Sequence, residues 1–72
     1  MQLFDIDIGV EVVIEKINIT GKTKRYLQEM GFNKGTPITI LSRSFGNMII
    51  KVKDTRVGIG RELAKYIIVK QK

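Results

Sequence analysis

The chain has 72 residues, of which 43% are hydrophobic, and its 13 basic and 7 acidic side chains give a formal net charge of +6. A chain this short has room for one hydrophobic core, so we expect a single folded domain over residues 1–72. It contains no Cys and no His, which excludes a disulfide framework, a thiolate or imidazole catalyst and a metal site of soft ligands. We therefore expect a protein that binds a partner, with no enzymatic activity, cofactor or small-molecule substrate.

The first ten residues carry Asp5 and Asp7 where a secretory signal would need an apolar run. No window approaches the roughly 20 apolar residues that cross a bilayer. We therefore expect a cytoplasmic protein. In an extended segment the two carboxylates would point the same way, but two exposed acids near an N-terminus are ordinary, so we expect no metal site.

Alternation of apolar and polar residues at Val12 and Ile14 predicts a strand with one face in water. The apolar series then moves to odd positions at Ile17 and Ile19. A β-bulge adds one residue to a strand and would let both halves face the core. We expect such a bulge at residues 15–16.

The period changes between Thr20 and Phe32, because Tyr26, Leu27 and Met30 fall at helical spacing on one face and predict the one clear helix. The end of this helix is encoded locally. Gly31 is suited to the left-handed position after the last turn, and Phe32 can then fold back onto Leu27. We expect Tyr26 and Phe32 to serve the core.

The start of the helix carries positive charges, which are unfavourable at that end of a helix. Thr20 or Thr23 is suited to cap it, yet Lys22, Lys24 and Arg25 occupy the first turn, where the helix dipole disfavours cations by about 0.3 kcal/mol or more each. Free N–H groups at a helix start attract anions. We therefore predict that these three cations bind an acidic partner surface; the alternative is a solvated basic turn.

Four more strands are predicted from alternating or β-branched residues, at 38–40, 48–53, 56–59 and 66–70. Phe45–Asn47 is predicted as a hairpin loop, because Gly and Asn accept positive φ, and Asp54-Thr55 as a turn. Lys51 and Lys53 form a cationic outer face that we interpret as protection against edge-to-edge pairing. Residues 61–65 have room only for a helical turn.

Five short strands with one inserted short helix exclude a helical bundle, and also a parallel α/β sheet, which needs several crossovers. A mainly β fold remains, in the form of a small, partly open barrel. SH3-like and OB-like barrels both fit this order of elements. The short turn before the last strand favours the SH3-like barrel.

Landmarks along nearly the whole chain resemble the FeoA family. The N-terminal ones are Leu3, Ile6, Gly9, Val12 and Ile14; the most specific are Arg25-Tyr26-Leu27-x-x-Met30-Gly31-Phe32-x-x-Gly35-Thr36; the last are Val57-Gly58-Ile59, Glu62, Ala64 and Ile67-Ile68-Val69. The central segment resembles the family's Arg-x-Leu-x-x-Met/Leu-Gly-Phe/Leu-x-Pro-Gly pattern. The family has no catalytic residues to carry over.

This resemblance implies an SH3-like domain that accompanies the bacterial ferrous iron transporter FeoB. It also implies a cytoplasmic accessory that contacts the cytoplasmic regions of FeoB, helps Fe(II) uptake without carrying the ion, and reaches the membrane only through the transporter. The alternative is a free-standing nucleic-acid-binding barrel that uses the charge of +6. We rank nucleic acid second, because such barrels stack bases on clustered aromatic rings, and few aromatic residues occur here.

Overall fold

The computed structural model describes all residues, 1–72, and shows a five-stranded antiparallel sheet with two short helices. Its elements are a 3₁₀ turn at Leu3–Asp5, β1 at Glu11–Ile17, α1 at Lys22–Glu29, β2 at Pro37–Ser44, β3 at Asn47–Val52, β4 at Thr55–Gly60, α2 at Arg61–Ala64 and β5 at Ile67–Gln71. The strand order is β4-β3-β2-β1-β5, with every pairing antiparallel. The mainly β fold with one inserted short helix is confirmed.

One cluster of 15 buried residues, all hydrophobic, forms the core. Each strand contributes through its alternating positions; Val12 and Ile14 of β1, for example, are 1% and 0% exposed. This burial removes apolar surface from water, and it is the main force that holds so small a sheet together.

The predicted bulge of β1 is present. Ile14 pairs with Val69 and Lys16 with Ile68, so Glu15 is the extra residue on its strand. A second bulge occurs in β2, where Ile40 pairs with Ile50 and the pairing resumes two residues later at Ser42. The sequence did not predict this second bulge, at which the consecutive residues Leu41 and Ser42 are both exposed.

The start of α1 differs from the prediction. Gly21, with φ of 78° and ψ of −149°, is the N-cap residue, and no side chain caps the helix. The expectation that Thr20 or Thr23 caps it is therefore wrong. Because glycine adopts positive φ readily, the chain enters the helix through a conformation that a threonine would resist.

The end of α1 follows the prediction. Gly31 has φ of 104°, its N–H donates to the carbonyl of Gln28, and the N–H of Phe32 donates to the carbonyl of Leu27, each at 3.0 Å. This pair of bonds is the Schellman motif, which satisfies carbonyls that a helix end leaves free. Leu27 and Phe32 are both fully buried in the core.

Tyr26, in contrast, is 54% exposed, so its predicted role in the core is wrong. Leu27 is the one fully buried residue of α1, and Met30 packs partly against the core. A helix of two turns that buries a single position has a narrow contact stripe, and the neighbouring residue lies about 100° away around the axis. Tyr26 therefore faces solvent.

Candidate binding surfaces

The three predicted partner-binding cations lie on the first turn of α1. Lys22 and Arg25 are exposed and Lys24 is half-buried. At 3.6 residues per turn, Lys22 and Arg25 share a face, whereas Lys24 points about 160° away from Lys22. The structure thus brings two of the three cations together and separates the third.

This first turn contains no acidic residue and no capping side chain. The only ion pair within 4 Å anywhere in the chain joins Lys72 to Glu11, so none of the three cations has a carboxylate partner. The positive end of the helix dipole adds to their charge. The turn is therefore an unneutralised basic surface.

The N-terminal acids are not arranged as an extended pair. Asp5 lies within the 3₁₀ turn Leu3–Asp5, and Asp7 follows it, so the assumption of an extended segment is wrong. Both side chains are exposed. No three acidic residues gather where they could hold a metal ion.

The outer face of the sheet carries a second basic surface, which we call the outer cleft: Leu41, Lys51, Asp54, Thr55 and Arg56 line a depression of about 400 Å³. Lys51 lies on β3, which pairs with β2 on one side and β4 on the other. Protection of a free edge does not explain a cation on an interior strand. That interpretation of Lys51 is therefore wrong.

The interpretation of Lys53 as a strand residue that protects an edge is wrong as well. Val52 pairs with Thr55, so the turn consists of Lys53 and Asp54, and Lys53 itself has φ of 57°. β4 begins one residue before its predicted start. Lys53 therefore lies in a tight turn and not on a strand edge.

The tip of the β2–β3 hairpin presents an aromatic ring to solvent. Phe45 is fully exposed at 101% and has φ of 48°, and Gly46 follows with φ of 84°. The turn is anchored by the N–H of Arg61, which donates to the Gly46 carbonyl at 2.7 Å. Positive φ is uncommon for a bulky side chain, so the ring is held outward at an energetic cost.

The other phenylalanine near this end of the barrel is engaged within the protein. The guanidinium of Arg61 lies 4.3 Å and that of Arg43 5.6 Å from the centre of the Phe4 ring. Arg43 also donates to the Phe4 and Ile6 carbonyls, at 2.7 and 3.1 Å. Arg43 is therefore a structural cation that ties the N-terminal turn to β2.

No helix of the structure is both long enough and apolar enough to cross a bilayer.

The five antiparallel strands, their pairing order and the helical turn before the last strand define a small SH3-like barrel. The sequence model of the FeoA domain family matches residues 1–71. The chain belongs to the FeoA family.

Relatives agree in sequence and in fold. A Methanocaldococcus jannaschii protein with the provisional name Fe(2+) transport protein A is 34% identical over 61 residues, covering 85% of this chain and 74% of that protein. Iron(II) transport protein A from Clostridium thermocellum superposes with a TM-score of 0.91 at 23% identity, over 99% of this chain and 45% of the length of that chain. FeoA of Stenotrophomonas maltophilia, crystallised with zinc and described as an SH3 domain protein, gives a TM-score of 0.86 at 22% identity, over 97% of this chain and 89% of that one. These two structures confirm the SH3-like fold.

Proposed function

We propose that this chain is a cytoplasmic accessory protein of ferrous iron transport that acts by binding the cytoplasmic regions of a FeoB-type transporter. The observation that carries the proposal is membership of the FeoA family over residues 1–71. The related protein named for Fe(2+) transport supports the same process. The chain lacks His and Cys, so a binding role fits its chemistry better than catalysis.

The docking surface in this proposal is the first turn of α1. Lys22 and Arg25 form its exposed face, and Lys24 adds charge from the side. A carboxylate of the partner would meet two cations and the positive end of the helix dipole together. The like charges of the free turn repel one another, so binding an acidic surface would remove a repulsion that the free protein carries.

The first experiment measures binding of the purified protein to immobilised cytoplasmic fragments of FeoB. Neutralising the turn with Lys22→Gln, Lys24→Gln and Arg25→Gln is expected to weaken binding about tenfold, because each exposed charge pair contributes about 0.2–1 kcal/mol. The matched control is Lys16→Gln, Lys34→Gln and Lys70→Gln, which removes the same charge from other exposed positions. Equal weakening by both triple variants would show that net charge, and not this turn, controls binding.

The second experiment tests the process in cells. Deleting the gene is expected to lower uptake of ⁵⁵Fe(II), and the wild-type chain should restore it better than the α1 triple variant. Normal uptake in the deletion strain would contradict the assignment to iron transport.

Nucleic acid remains the second candidate because of the charge of +6. The two exposed aromatic residues, Tyr26 and Phe45, lie on α1 and on the hairpin tip, and do not form one stacking platform within a single element. A mobility-shift assay followed against salt separates the candidates, because phosphate binding falls steeply with salt. Tight, salt-steep binding to DNA or RNA without binding to FeoB would favour nucleic acid.

A further inference from the structure

Two rows of side chains cross the outer face of β2, β3 and β4. Directly opposite residues of antiparallel strands place their side chains on the same face. The register pairs Thr39 with Lys51 and Lys51 with Arg56, which makes a polar row. It also pairs Ile49 with Ser42 and with Gly58, which makes a second row two residues away along β3 and β4 and three residues away along β2, where the bulge adds one residue.

The polar row contains an unfavourable pair. Lys51 and Arg56 are directly opposite, and like charges in this position destabilise a sheet. Asp54 lines the same cleft, but the only ion pair within 4 Å in the chain is Lys72–Glu11, so neither cation is paired. Lys51 also lies on an interior strand, where it guards no edge. Two adjacent cations thus face an open cleft without a partner.

The second row is apolar and uncovered. Ile49 is 39% exposed. The residue opposite it on β4 is Gly58, where a Cβ atom would lie 3.6 Å from the Ile49 Cδ1 atom. Glycine at this position leaves one flank of the isoleucine bare. At the bulge of β2, Leu41 and Ser42 are both exposed, and Leu41, 36% exposed, lines the outer cleft. The exposed side chains of Ile49 and Leu41 therefore form an apolar surface next to the two cations.

From this juxtaposition we infer that the outer cleft binds an extended acidic peptide segment, in which a bulky apolar side chain lies two positions from a carboxylate. Ile49 and Lys51 are two residues apart on one strand, a separation of roughly 6.6 Å. An extended peptide repeats its own side chains at the same spacing, so its apolar side chain would cover Ile49 and Leu41 while its carboxylate meets Lys51 and Arg56. The cleft volume of about 400 Å³ accommodates a few side chains.

Charge complementarity and composition favour a peptide over a nucleic acid at this site. No aromatic residue lines the cleft, so it offers no ring for base stacking. The lining includes one carboxylate, Asp54, which repels phosphates and can accept a hydrogen bond from a peptide N–H. This site shares no residue with the basic turn of α1, and the inference goes beyond the proposed function because it requires no FeoB.

The test uses the capped heptapeptide Thr-Glu-Thr-Leu-Thr-Glu-Thr, in which both Glu residues lie two positions from Leu. Titration of the ¹⁵N-labelled protein is expected to shift the amide resonances of residues 41 and 49–58. Reversing the charge of the cleft with Lys51→Glu and Arg56→Glu is expected to weaken binding of the acidic peptide about tenfold or more. The matched control, Lys34→Glu and Lys70→Glu, makes the same change of net charge at exposed positions and should alter affinity less than about twofold.

Two further ligands sharpen the test: the same peptide with Lys in place of both Glu residues, and the oligonucleotide (dT)₇. Neither should bind with comparable affinity. The inference is overturned if the acidic peptide causes no shifts at millimolar concentration, if the shifts lie on α1, if the cleft variant binds as well as the wild type, or if the lysine peptide or (dT)₇ binds equally well. FeoB binding is scored separately with the α1 variants, so either proposal can fail while the other stands.

Discussion

Replacing Phe45 with Asn is expected to make the protein more stable, although the change removes an aromatic ring. The ring is fully exposed, so its loss sacrifices no burial. Its backbone φ of 48° is in the left-handed region, which costs an L-residue about 1–2 kcal/mol. Asn tolerates this conformation, and Asn followed by Gly46 is the preferred pair for a two-residue hairpin turn with positive φ. We expect the free energy of unfolding to rise by about 1 kcal/mol.

Thermal unfolding followed by circular dichroism measures this effect. A gain of about 1 kcal/mol corresponds to a rise in Tm of about 4–8 °C for a domain of this size. The control is Phe45→Ala, which removes the ring but keeps a Cβ atom in the strained conformation, and its Tm should stay close to the wild-type value. If the Asn variant is no more stable than the Ala variant, backbone strain at the turn is not the source of the effect.

Three other substitutions test the packing and the charges. Gly31→Ala should lower the free energy of unfolding by about 2 kcal/mol in urea titrations, because φ is 104° and the new Cβ would lie 2.9 Å from the Val52 Cγ1 atom; a neutral result would mean that α1 shifts freely. Lys51→Glu should raise the unfolding free energy by about 0.5 kcal/mol, since it converts a like-charge pair with Arg56 into an attractive one, while it weakens acidic-peptide binding; equal peptide affinity would contradict the outer-cleft inference. Arg43→Met should lower the urea midpoint by the equivalent of about 2 kcal/mol, because two carbonyls of the N-terminal turn lose a charged donor; an unchanged midpoint would show that water replaces that donor.

Features that depend on a few neighbouring residues could be predicted from the sequence. The end of α1 needs only Gly31 and Phe32 beside a helical turn, and the structure confirms both residues in those roles. The bulge of β1 follows from a change in the parity of apolar residues between Ile14 and Ile17, which is also a local signal. The strand count and the SH3-like fold follow from such local periods.

Features that depend on pairing between distant residues could not be predicted. The bulge at Leu41 cannot be seen in the sequence because the inward-facing position after it is Arg43, which pairs with the buried Met48, so no apolar residue reports the change of parity. The opposition of Lys51 and Arg56 requires the register of β3 and β4. The predicted turn, Asp54-Thr55, lies one residue after the observed turn, and this error alone placed Lys51 opposite the wrong residue of β4. The sequence identified the basic turn of α1, but neither the outer cleft nor the strained Phe45.

Pairing between the first and last strands also bears on how quickly the chain folds. Val12 pairs with Gln71, so β1 and β5 meet only after nearly the whole chain has closed on itself. The β2–β3–β4 meander, in contrast, is joined by two-residue turns, and local contacts of this kind cost less chain entropy. We expect the meander to be formed in the folding transition state and β5 to join late. In stopped-flow experiments, Val69→Ala should then accelerate unfolding more than it slows refolding, and Ile50→Val should do the reverse.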